Sequence, residues 1–136
     1  MKRCHVVAAA CTIAACAIFG LGVPGSTYMA AAAPPPVSFK EDVLPVLQVR
    51  CGSCHAPPNG AGYTASGLNL MTYQGIMAGT KFGPMVVAGN PETSNLMRLL
   101  DWQVPAQLRM PHNQKQLSVC DRDAIRTWIR DGAKDD

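Results

Sequence analysis

The sequence predicts a small all-α domain, and three observations carry that expectation. A serine-capped helix begins at Ser38, a second begins at Ser118, and the ground between them is too rich in Gly and Pro for long elements. The chain has 136 residues, and with an apolar leader set aside about a hundred remain, the size of one domain. There is no room for a second catalytic domain.

The leader opens Met1-Lys2-Arg3, runs apolar from Val6 to Val23 and ends in small residues from Ala30 to Ala33. This is the layout of a secretory signal with an A-x-A-like exit. Residues 6–23 would also make a helix of about 27 Å, just short of a hydrocarbon thickness of roughly 30 Å. An uncleaved membrane anchor over residues 1–33 is therefore the competing expectation. Ile13-Ala14-Ala15-Cys16 has the form of a lipobox, although the stretch before it is short and the stretch after it is still apolar. Residues 34–37 read as a stiff Pro-rich linker, and the domain is expected over 38–136.

In Ser38-Phe39-Lys40-Glu41 the Ser hydroxyl and the Glu carboxylate form a capping box. Phe39, Val43, Leu44, Leu47 and Cys51 follow at helical spacing, and Pro45 either kinks this helix or sets its start later. The helix delivers Cys51-Gly52-Ser53-Cys54-His55 at its end. Ala56 to Gly67 holds Pro57, Pro58, Gly60 and Gly62 and is expected as a long loop. Leu68 and Leu70 should pack inward, Thr72 should open a short helix through Met77, and Met85 to Ala88 should run extended. Asn90-Pro91 marks a helix reaching about Asp101. A polar segment from Gln103 to Gln116 holds Met110-Pro111-His112. Ser118 then caps the last helix, whose apolar face is Ala124, Ile125, Trp128 and Ile129 and which stops at Gly132. Arg122, Arg126 and Arg130 recur on its other side, where a solvated face is expected.

The pentapeptide ending that first helix reads C-x-x-C-H, the attachment signature of a c-type haem. Two thiols three positions apart on a turn of helix can add to the two vinyl groups of one porphyrin, and the next side chain can reach its iron. A structural zinc needs four ligands, usually in paired clusters, whereas Cys120 stands alone downstream. A thioredoxin-like C-x-x-C wants a βαβ setting, and no strand-rich run precedes Cys51. One covalent haem c is the expected cofactor. Cys4, Cys11 and Cys16 fall in the leader, and Cys120 is expected as a small buried residue with no disulfide. With Lys2 and Arg3 in the leader, residues 34–136 carry ten basic against nine acidic residues, which argues against nucleic-acid binding. No G-x-S-x-G, H-E-x-x-H or phosphate loop occurs.

The order of these features resembles a class I cytochrome c across residues 38–136. More narrowly, Phe39-Lys40-Glu41-Asp42-Val43-Leu44-Pro45-Val46-Leu47, Gly67-Leu68-Asn69-Leu70 and Trp128-Ile129-Arg130-Asp131-Gly132-Ala133 resemble the short cytochrome domains found alone or appended to larger planctomycete-type proteins. The resemblance implies that the first and last helices cross beside the haem, that Cys51 and Cys54 hold it by thioethers, and that His55 is the proximal ligand. It also implies attachment on the far side of the bacterial inner membrane, which fits an exported chain.

The sixth ligand decides the function. A thioether favours the ferrous state and raises the potential, and a second imidazole lowers it. Of the seven methionines, Met71, Met77 and Met97 sit in apolar helical patterns suited to core filling, and Met85 precedes a β-like run. Met110 stands in a polar segment, where an apolar side chain needs a reason to turn inward, and position and resemblance together point to it. His112 is the alternative, otherwise a solvent-facing imidazole. With His55 and Met110 both bound, the iron has no open position, so the expectation is a one-electron carrier, or a haem subunit of a respiratory or photosynthetic complex, rather than an enzyme. A five-coordinate peroxidase or gas sensor, and a mainly structural haem subunit, are the competing readings. Redox proteins are the expected partners, in a membrane-bound electron-transfer complex. The expected place is the periplasm or the outer face of the inner membrane, with residues 6–23 as the tether if the leader is retained.

Overall fold

The computed structural model describes residues 35–136, of which 36–136 form one compact unit. The expectations for a signal, an anchor over residues 6–23 and a lipidated Cys16 lie outside the described residues. Among the described residues the protein is all-α, with five α-helices and no strand, and no helix is long and apolar enough to cross a membrane.

The chain enters through a π-helical turn, Phe39–Val43, that runs into α1, Leu44–His55. Pro45 explains the switch. The Leu44 N–H closes the π turn on the Phe39 carbonyl, and Pro45, which has no N–H to continue that pattern, takes the second position of α1. Ser38 caps this start as expected, its hydroxyl accepting from the Glu41 N–H at 3.2 Å. The reciprocal partner is corrected: the Ser38 N–H donates to the Asp42 carboxylate at 2.9 Å rather than to Glu41. The wider π turn brings the residue one place later over the open N–H.

Phe39, Val43, Val46 and Leu47 are buried on this segment, and the π turn packs on α5, Val119–Arg130. Ser118 caps α5 by accepting from the Asp121 N–H at 3.1 Å, and Ile125, Trp128 and Ile129 are buried as expected. Phe39 meets Trp128 at 5.1 Å between ring centroids and Tyr73 at 5.4 Å, edge-on. Each such pair adds about 0.5–1.5 kcal/mol to what burial alone gives. Backbone bonds close the same corner, with the Lys40 N–H on the Asp136 carbonyl at 3.0 Å and the Tyr73 hydroxyl on the Ala133 carbonyl at 2.9 Å. The two ends of the domain are thus tied to each other through α3, Tyr73–Ala78, which Thr72 caps as expected by accepting from the Gly75 N–H.

The middle of the chain departs from expectation twice. Ala61–Ser66 forms a short helix, α2, inside the expected loop. Its six residues contain no Pro, and Gly67, with φ 77°, supplies the left-handed stop that a glycine takes without cost. The next helix, α4, spans Asn95–Leu100 and starts later than Pro91. Asn90 accepts from the Thr93 N–H at 3.2 Å, while the buried Ser94 hydroxyl donates to the Asn90 carbonyl at 2.8 Å and accepts from the Val87 N–H at 2.9 Å. These side chains hold residues 90–94 as a turn, and Pro91 belongs to it.

The arginine row is also corrected. Asp101, the C-cap of α4, receives Arg122 at 2.9 Å and Arg126 at 2.8 Å, and only Arg130 is exposed. The hydrogen bond to Asp101 raises the Arg126 pKa further above its usual value. Among the described residues Cys51 and Cys54 are free, and Cys120 is half-buried in the first turn of α5.

Candidate functional site

A cavity of about 860 Å³ opens in the domain, and it is bordered by Cys51, Cys54 and His55 from the last turn of α1 and by Met110 from the segment between α4 and α5. Residues far apart in sequence thus meet on one cavity, whose size is in the range for a single bound cofactor, ~300–1,000 Å³. Met85 and His112 border it too, Met85 buried and His112 exposed. Met71, Met77 and Met97 do not; Met97 lies in the core and the other two pack against it.

Among the described residues His55 is the one buried titratable side chain on the cavity. Its Nδ1 lies 3.2 Å from the Leu68 carbonyl oxygen. A carbonyl can only accept, so this bond requires the hydrogen on Nδ1 and leaves the Nε2 lone pair bare, the arrangement a metal-ligating imidazole needs. The Leu70 N–H donates back to the His55 carbonyl at 3.4 Å, so residues 68–70 grip His55 from both directions. Against the ring stands Gly62 of α2, where a Cβ would fall 2.7 Å from Cε1 and 2.8 Å from Nε2. No side chain fits at position 62 while the imidazole keeps its place.

The two thiols differ. Cys54 is exposed, whereas Cys51 is half-buried and desolvation pushes its pKa up to about 11, partly opposed by the Arg50 charge and aided by Cys54. Among the described residues no three His, Cys, Asp or Glu side chains converge as a metal cluster.

Met110 is half-buried and its backbone is held at both ends. Its N–H donates to the Leu99 carbonyl at 3.2 Å, and its carbonyl accepts from the Trp102 indole N–H at 3.0 Å. The Met110–Pro111 peptide bond is cis. Trp102, Gly62 and the Leu68 carbonyl were not legible as site elements from sequence. An indole in a polar segment could have flagged Trp102, because its N–H needs an acceptor when covered; Gly62 read only as a helix breaker, and a carbonyl carries no letter.

Two free thiols, an imidazole with Nε2 bare and two thioethers border a cavity that six leucines line as well, together with polar residues such as Asn95, Arg98 and Gln107. This donor set fits a covalently attached porphyrin iron. Residues 51–113 match a family model described as Planctomycete cytochrome C, a stretch running from the first cysteine of the motif to just beyond His112. No curated protein and no solved structure matches the chain. That stretch is therefore similar to a planctomycete-type cytochrome c domain, and the match implies a covalently bound haem c and haem-based electron transfer.

Proposed function

We propose that the planctomycete-type cytochrome c domain matched over residues 51–113, extended to 38–136, is a one-haem electron carrier with His/Met ligation. Cys51 and Cys54 would hold the haem through thioethers, and His55 Nε2 and Met110 Sδ would ligate its iron. When bound, the haem supplies a one-electron ferric–ferrous couple. The chain's part is to keep its ligands still in both states. The Leu68 carbonyl fixes the tautomer and ring plane of His55, and Leu99 and Trp102 fix the backbone of Met110. The apolar side chains on the cavity wall, six leucines among them, would favour the less charged, reduced iron.

The observation that carries this reading is that Met110 and the C-x-x-C-H residues border one cavity although about 55 positions separate them. Met110 is preferred to His112 because its backbone is anchored at both ends, while His112 is exposed. With both residues on the iron there would be no place on it for a substrate, and the domain would not be an enzyme. We place it in the periplasm or on the outer face of the inner membrane, passing electrons to redox proteins of a membrane-bound complex; the signal-like leader and the attachment motif support that place.

The test is Met110→Ala in the holoprotein. A thioether that prefers ferrous over ferric iron at least tenfold accounts for about 59 mV or more, so the variant's midpoint potential should fall by at least that much and its ferrous form should bind carbon monoxide rapidly. Unchanged ligation and potential would rule Met110 out. Rapid carbon monoxide binding by the wild type, with no ligand-loss step, would favour the five-coordinate sensor or peroxidase instead.

A further inference from the structure

Between α4 and Met110 the chain closes a loop on itself. Trp102 adopts a left-handed backbone with φ 60°, a conformation that bulky residues take only where their surroundings hold them. What the conformation achieves is the bond from its indole N–H to the Met110 carbonyl, with Arg109 stacked 5.3 Å over the indole face. Asp101, the residue before it, is gripped by Arg122 and Arg126 of α5. Trp102 does not border the cavity. Whatever it does for the site, it does through Met110.

We infer that Trp102 is a positioning residue for the sixth ligand, a clasp that keeps the Met110 backbone from swinging away from the cavity. The inference rests on the reading of Met110 as that ligand. The clasp matters most in the oxidised state, where a thioether is the weaker partner for iron and departs first. Holding the backbone lowers the freedom the side chain gains on leaving, so the ligand persists through both oxidation states.

The experiment titrates imidazole against the ferric holoprotein by absorption spectroscopy. Trp102→Phe removes the N–H and keeps a ring for Arg109. Its imidazole affinity should rise roughly two- to tenfold, the equilibrium factor of one net hydrogen bond, with haem content unchanged. Met110→Ala should bind imidazole more tightly still, and Trp102→Phe should add nothing in that background. If Trp102→Phe leaves the affinity at the wild-type value while Met110→Ala raises it, the clasp is wrong and the ligand reading stands. An equal gain from Trp102→Phe in both backgrounds means general loosening and also overturns the clasp. No gain in Met110→Ala overturns the ligand reading and the clasp with it. Should Trp102→Phe fail to load haem, Arg109→Gln, which uncovers the indole but leaves its N–H, must show a smaller gain of the same sign; no gain there counts against the clasp.

Discussion

His55 can serve iron only if the nitrogen that faces it is bare, and a backbone carbonyl decides this. The 3.2 Å contact to Leu68 selects the Nδ1–H tautomer, so the useful form is set before any metal arrives. Gly62 sets the ring's place from the other side. Two effects compete in Gly62→Ala. Alanine favours a helix by about 0.5–1 kcal/mol, but the added Cβ would lie 2.7 Å from the imidazole, and overpacking of that kind costs about 1–3 kcal/mol. The clash should win. The expected result is a lower urea midpoint for the holoprotein and a shifted potential, whereas a stabilised variant with wild-type potential would show that the ring has room to spare. Met110 and the two cysteines announce themselves by residue type and place. Gly62 and Leu68 act through a missing side chain and a carbonyl, which residue type does not distinguish from ordinary structure.

At the level of elements, the same division holds between local and distant causes. The caps at Ser38, Thr72 and Ser118 were legible because each is a bond to a backbone N–H three residues on. The start of α4 was not, because Ser94 and Asn90 compete for the same backbone and win it for a turn. The arginine row was misread for another reason: its partner, Asp101, lies 21 and 25 positions away. That partner sits at the junction of α4 and the segment leading to Met110, so the pair of bridges couples α5 to the site's loop. Asp101→Ala would leave two largely covered guanidinium groups without their carboxylate, which costs about 3 kcal/mol when a buried partner is removed. Arg126→Ala keeps Arg122 on Asp101 and should cost less. Chemical denaturation of the three holoproteins checks the order, and equal midpoints for Asp101→Ala and wild type would return the bridges to the status of surface pairs.

Core and site are not separate in this molecule, because Leu68, Leu70, Met85, Leu96 and Leu100 belong to the hydrophobic core and border the cavity as well. A domain of about a hundred residues has a modest core, and a ligand bound only by the folded state stabilises it by mass action. The Cys51→Ala, Cys54→Ala double variant, prepared without attached haem, should therefore unfold at a much lower urea concentration than the holoprotein and with weaker cooperativity; a matching midpoint would mean that the core closes unaided. Charge at the same scale predicts how partners arrive. Residues 34–136 are nearly neutral, with ten basic and nine acidic side chains, yet Arg50 and Arg98 border the cavity and no Asp or Glu does. The acids are drawn elsewhere: Asp42 and Asp136 bind the start of the domain, and Asp101 is taken up by α5. The cavity rim thus carries two positive side chains and no acidic one although the sum is small, and such local charge steers encounters. Reduction of the ferric holoprotein by an anionic one-electron reagent should slow on the order of tenfold between 0.01 and 0.1 M salt, as the screening length shrinks from about 30 to about 10 Å. A cationic reagent should speed up over the same range, and Arg50→Gln with Arg98→Gln should flatten both responses. Stopped-flow rates that ignore salt for both reagents would place the route of electron entry away from these arginines.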